Sequence, residues 1–157
     1  MMTPLPHGGF KWITPRLFSQ KLSSILNGAS SFDEQLAHLQ ASQVNFFLEV
    51  DAEFPKEIHD KMSDFPFLPE NMKPPGGFTT KLIAHLNPRE RYVMSCEMFL
   101  LAQEQGVLFT KVHRVLEFQQ STWLSQYIQL NTDLRTTATD IFRQDYYKLM
   151  NNSFYGM

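Results

Sequence analysis

Cysteine is almost missing from this chain: Cys96 is the only one in 157 residues. No disulfide can form within the chain, and a reducing compartment is the natural expectation. No apolar run approaches the roughly 20 residues that a membrane helix needs. The stretch Met1–Phe10 lacks the apolar centre of a signal peptide. A soluble, intracellular protein without a membrane partner is therefore expected; a nucleus or a viral replication site is compatible, but neither is signalled. Charge is sparse as well. Charged residues make up 19% and the formal net charge is -2, whereas a free-standing nucleic-acid-binding domain is more often clearly basic. Hydrophobic residues, at 43%, are plentiful enough for a packed core and argue against wholesale disorder. The length fits one domain or a large piece of one.

What is present reads as mixed α and β, without the regular alternation of a doubly wound sheet. Residues 1 to 16, rich in Pro and Gly at their start, read as extended loop. Leu17–Leu26 and Phe32–Leu39 carry apolar residues at helical spacing, with Asn27-Gly28 as a stop between them. The clearest pattern follows. Val44, Phe46, Leu48, Val50, Ala52 and Phe54 alternate with Asn45, Phe47, Glu49, Asp51 and Glu53, a period of two that predicts a strand with one buried face. Pro55 ends it. Residues 63–78 hold four prolines and two glycines and read as a long irregular excursion. Thr79–Leu86 reads as a strand, Tyr92–Gln105 as a helix stopped by Gly106, Val107–Phe118 as a strand, Thr122–Leu130 as a short helix and Thr132–Tyr155 as a long one.

The last helix carries the chemistry. Leu134, Ala138, Phe142, Tyr146, Leu149 and Ser153 form one stripe, expected to face a core. Lys148, Asn152 and Tyr155 lie at i, i+4 and i+7 and share another stripe. A cation suits phosphate oxygens, an amide offers donor and acceptor to a base or sugar edge, and a phenol gives a stacking face. The same three residue types also serve as a snorkelling cation, a cap and a half-buried aromatic. Spacing does not choose between these uses.

The run Lys148-Leu149-Met150-Asn151-Asn152-Ser153-Phe154-Tyr155-Gly156 resembles motif B of protein-primed family B DNA polymerases: Lys, three residues, Asn, Ser, one residue, Tyr, Gly. Pro4-Leu5-Pro6-His7-Gly8-Gly9-Phe10 is similar to the stretch just after motif A of these enzymes. Leu48-Glu49-Val50-Asp51-Ala52-Glu53-Phe54-Pro55 resembles the palm strand that follows. Lys111–Phe118 and Trp123–Ile128 resemble the strand and helix leading into motif B. The resemblance spans almost the whole chain and is nearest to polymerases of Polinton/Maverick-type transposons and related viruses.

The resemblance implies an α+β piece of a right-hand polymerase, truncated at both ends. Residues 1–55 would be part of the palm, 56–90 an insertion between motifs A and B, and 91–157 a palm strand and the fingers helix. Lys148 would meet the incoming nucleotide's phosphates. Asn152 and Tyr155 would lie beside the nascent base pair, with Ser153 and Gly156 in support. Lys111, Arg114 and Arg143 are candidates for DNA backbone contacts. The partners implied are a DNA primer–template, a deoxynucleoside triphosphate and a terminal priming protein.

The complete enzyme of this class uses Mg2+ ions held by carboxylates of motifs A and C. Those carboxylates are not in this sequence, so no catalytic residue and no metal ligand is assigned, and the chain alone is expected not to polymerise DNA. A non-catalytic, transposon-derived relic or protein-interaction segment is the alternative. Glu49, Asp51 and Glu53 share a strand face, so a stand-alone carboxylate metalloenzyme built on them is a third reading; the expectation is a solvated face. His113 and Arg114 are expected mid-strand, with His113 a partly buried structural residue, and Cys96 is expected to be inert. Phe46, Phe47, Phe65, Phe67 and Phe99 are expected in the core.

Overall fold

The computed structural model describes residues 3–154 and is mixed α and β. Six strands and six helices follow one another: β1 (Leu5–Ile13), α1 (Pro15–Ile25), α2 (Phe32–Ala41), β2 (Val44–Glu53), a short turn of helix leading to α3 (His59–Met62), β3 (Glu70–Met72), β4 (Lys81–Ile83), β5 (Arg89–Ser95), α4 (Cys96–Glu104), β6 (Leu108–Ser121), α5 (Ser125–Thr137) and α6 (Ile141–Ser153). The main sheet has the order β1-β6-β2-β5, and β3 pairs with β4 in a separate ribbon. The chain divides into two compact units, Gly9–Phe118 and Met1–Gly8 together with Gln119–Met157.

In the Gly9–Phe118 unit the even-numbered residues of β2 build the core. Phe46, Leu48, Val50 and Ala52 are buried beside Phe18 of α1, Leu39 of α2 and Phe99, Leu100 and Ala102 of α4. Phe18 sets its ring edge-on to Phe46 at 5.2 Å and to Phe99 at 6.2 Å, a favoured aromatic geometry. The helices start where the sequence offers oxygen acceptors. Thr14 accepts from the Leu17 amide ahead of Pro15, Ser95 accepts from the Met98 amide, and Ser31 and Glu34 form a capping box; each arrangement satisfies first-turn amides. Gly106 ends α4 at a φ of +94°, and a side chain there would lie 2.9 Å from Ile58.

The alternation read for β2 holds, and several other expectations need correction. The opening loop contains β1. Its second half, Phe10-Lys11-Trp12-Ile13, supplies the branched and aromatic residues that suit a strand. The strand expected over Thr79–Leu86 shrinks to β4. The expected helix from Tyr92 begins only at Cys96: Tyr92, Val93 and Met94 pair with Val50, Glu49 and Leu48 instead, and Ser95 supplies the cap that starts α4. The long final helix is two helices. Ala138 turns extended and Asp140 caps α6 by accepting from the Arg143 amide at 2.8 Å.

That break explains a second correction. The stripe expected in a core is largely exposed, with Phe142 at 77% and Leu134, Tyr146 and Leu149 also open. α6 is a separate helix and turns another side inward. Gln144, Tyr147, Met150 and Asn151 are its half-buried residues. Gln144 donates to the Ala138 carbonyl at 3.0 Å, and the Tyr127 hydroxyl donates to the Met150 carbonyl at 3.3 Å.

A buried clamp organises residues 63–88. The Arg89 side chain is 1% exposed. Its Nε donates to the Leu68 carbonyl at 2.8 Å, and its Nη atoms donate to the carbonyls of Asn87 and His85, the latter at 2.7 Å. Nη1 also lies 2.8 Å from His85 Nδ1. Two donors, Arg89 and the Asn87 amide, converge on that nitrogen, which assigns it as the unprotonated one. Burial, and then the Arg89 charge, lower the pKa of His85. Arg89 further stacks on Phe54 at 5.2 Å. It also holds Leu68, a bulky residue at φ 58°, in a backbone region that bulky side chains avoid.

Candidate functional site

α6 presents the first candidate site. Lys148 and Asn152 are exposed and one helical turn apart, so they share a solvent-facing stripe. Ser153 turns inward on its own helix and donates to the Met150 carbonyl at 3.0 Å. The end of the helix is fixed by aromatic contacts: Phe154 lies 5.5 Å from Trp123 and 6.4 Å from Tyr127. Tyr155 and Gly156 lie outside the described residues. Arg143 is tied to its cap, with Nε 3.4 Å from Asp140. It sits five residues before Lys148, well round the helix from it.

The second candidate is the face of the main sheet opposite the helices, within the Gly9–Phe118 unit. Glu49, expected to be solvated, is buried. Arg91 reaches one of its oxygens at 3.1 Å and Arg114 the other. The Arg114 hydrogen bond, and the charges of Arg114 and Arg91, hold the Glu49 carboxyl below its usual range against the opposing effect of burial. Asp51 accepts from the Arg91 amide at 2.9 Å and lies 2.7 Å from His113 Nε2. These contacts also lower its pKa, the backbone hydrogen bond most, with smaller help from the charges of His113 and Lys111. The β2–β5 register explains the reach of Arg91. Val50 pairs with Tyr92 and Ala52 with Arg89. Glu90 and Arg91 together therefore oppose Asp51 in a bulge. Arg91 adopts φ 51° there, braced by its amide's bond to Asp51. Glu53 stays exposed.

These carboxylates do not suit Mg2+. A hard cation needs several free oxygen ligands, and the oxygens of Glu49 and Asp51 are engaged by two guanidinium groups, an imidazole and a backbone amide. Among the described residues no group of three or more His, Cys, Asp or Glu side chains is placed to hold a metal ion. Mg2+ therefore enters no step assigned to these residues.

On the opposite side of β6, Glu117 is buried between Lys11 at 2.8 Å and Lys21 at 2.6 Å. Burial pushes its pKa up, but hydrogen bonds from the two lysines bring it below the usual range. Cys96 is fully buried, and burial raises its thiol pKa far above the usual range, which leaves it without thiolate character. Lys111 is exposed, and His113 is largely buried, as expected of a structural histidine.

Of the phenylalanines expected in the core, Phe46 and Phe99 are buried and Phe67 is partly buried against the core cluster. Phe47 and Phe65 are exposed. Phe47 belongs to the odd-numbered face of β2, so the alternation itself places it away from the helices. Trp12 and Phe10 are exposed on β1, a strand that the Pro/Gly-rich opening conceals in the sequence.

No helix among the described residues is long and apolar enough to cross a membrane. Comparison with protein-family models, curated proteins and solved structures finds no match to this chain.

Proposed function

We propose that this chain is the portion of a protein-primed, family B type DNA polymerase that lies between motif A and motif B. Its role there is to bind the incoming nucleotide and the primer–template. The observation that carries the reading is the sequence run from Lys148 to Gly156, of which Lys148 and Asn152 stand exposed on one stripe of α6. Lys148 meets the triphosphate as a point charge. Asn152 offers donor and acceptor to the nascent base pair. Ser153 caps the last turn through its bond to Met150. The β3–β4 ribbon and its loops, clamped by Arg89, are the part of the chain proposed to meet the template and the priming protein.

Two experiments test this. The purified chain, given primer–template, all four deoxynucleoside triphosphates and Mg2+, should extend no primer above blank. Extension would contradict the statement that its carboxylates hold no catalytic metal. In a polymerase expressed from the longer reading frame, Lys148→Ala should raise the KM for nucleotide about 10- to 100-fold, the value of a charge-assisted hydrogen bond. Arg143→Ala should have little effect on that KM. Equal nucleotide KM in Lys148→Ala and the parent would sink the assignment. One observation favours the alternative of a protein-interaction segment, namely the exposed apolar side chains Ile141, Phe142 and Leu149 on α6. A full-frame product that extends no primer under any condition would favour that alternative.

A further inference from the structure

The excursion between Leu68 and Arg89 is closed by one guanidinium and one imidazole. His85 follows β4, and its side chain is 17% exposed. Its Nδ1 accepts from Arg89 Nη1 at 2.8 Å and from the Asn87 amide at 3.2 Å. A neutral ring accepts there only while its proton sits on Nε2. That Nε2 stands 3.6 Å from Glu70 of β3, beyond hydrogen-bond range. Two charged groups thus face the ring: Arg89 at the start of β5 and Glu70 of β3.

A second proton on this ring has one place to go, Nδ1. There it turns the acceptor into a donor that meets two donors, one of them a permanent cation. Arg89 has no lone pair to offer in exchange. The guanidinium must leave the ring, and the same guanidinium holds the carbonyls of Leu68, His85 and Asn87. Leu68 favours the departure, because its φ of 58° is a strain that relaxes once the clamp lets go.

We propose that His85 and Arg89 form an acid-released latch: protonation of His85 at Nδ1 frees residues 63–88, with the β3–β4 ribbon, while the main sheet stays folded. Release uncovers Leu68, buried in the latched form, and Phe67, partly buried there. The latch lies within the Gly9–Phe118 unit and does not rest on the polymerase reading of α6.

Burial and then the Arg89 charge lower the pKa of His85, with Glu70 opposing them. In the latched form the ring therefore resists protonation. In the released form it titrates near the ordinary imidazole value of about 6.5. Protons favour release: the latch holds fully above about pH 6.5 and weakens as pH falls below that value.

Amide exchange of the full chain at about pH 7.5 and about pH 5.5, one unit either side of the ordinary imidazole value, tests the proposal. Rates are expressed as protection factors, so that the chemical exchange rate at each pH cancels. Protection across residues 63–88 should fall about three- to tenfold at the lower pH, the upper figure being the limit for one proton over one pH unit. His85→Asn keeps an acceptor oxygen near the Nδ1 position and does not titrate, so its protection there should not fall. Ring-nitrogen NMR of the parent needs no substitution and decides independently. It should show Nδ1 unprotonated at the higher pH and His85 titrating below about 6.5. Three results would overturn the proposal: a protonated Nδ1 at the higher pH, parent protection that does not change with pH, or an equal fall in His85→Asn.

Discussion

Arg89→Leu is expected to lower the stability of the Gly9–Phe118 unit by roughly 3–5 kcal/mol, because it leaves several buried backbone carbonyls without their donor. The side chain is nearly inaccessible and donates to three backbone carbonyls, those of Leu68, His85 and Asn87. Each buried carbonyl left without a donor costs about 1–3 kcal/mol. Leucine fills part of the space and satisfies none of them. The loss is also local in character. Arg89 holds the ends of the excursion between Leu68 and Asn87 and keeps Leu68 at its positive φ. The variant should therefore show faster amide exchange and easier proteolysis across residues 63–88 before the rest of the unit opens. Urea unfolding gives the global figure, and limited proteolysis gives the local one. A midpoint within about 1 kcal/mol of the parent, inside the ordinary range for surface changes, would show that the clamp is dispensable.

Phe46→Ala should be equally damaging but differently distributed. Phe46 is 0% exposed and meets Phe18 edge-on. Its loss opens a cavity where β2 faces the helices, and a Phe-to-Ala change of this kind costs about 3–5 kcal/mol. Against a total stability of about 5–15 kcal/mol for a domain, that is a large fraction. Here the whole unit should loosen together, with no selective exposure of residues 63–88, because β2 lies inside the main sheet. Phe46→Leu should recover most of the loss, since it keeps much of the volume. An alanine variant as stable as the parent would mean that the Phe18–Phe46–Phe99 group is not the centre of the core.

How much of this was legible in the sequence depends on how local the determining contacts are. β2 was readable because its alternation is an intrinsic period, and α2 because its apolar spacing is helical. The burial of Glu49 was not readable, because its partners Arg91 and Arg114 stand 42 and 65 residues away. A carboxylate alternating with apolar residues looks solvated until those partners arrive. β5 was misread because Tyr92-Val93-Met94 leads straight into the apolar residues of α4, and an unbroken apolar run fits either period. The cap Ser95 marks the change. The break before α6 was legible in principle: Thr139-Asp140 ahead of Ile141 is a helix start, and Asp140 does cap it. β1 is hidden in the sequence because Phe10 and Trp12 follow a Pro/Gly-rich opening that argues for loop. Lys148 and Asn152 were placed correctly on a shared stripe by spacing alone. Their side chains face solvent, so no tertiary contact moved them.

The most direct test of the polymerase proposal is to sequence the reading frame on both sides of this segment in its source transcript. An open frame that places an Asp-bearing motif A shortly before Met1, and an Asp-Thr-Asp strand after Met157, is the predicted result. Stop codons or unrelated sequence at both positions would contradict it, and the exposed residues of α6 would then need another use.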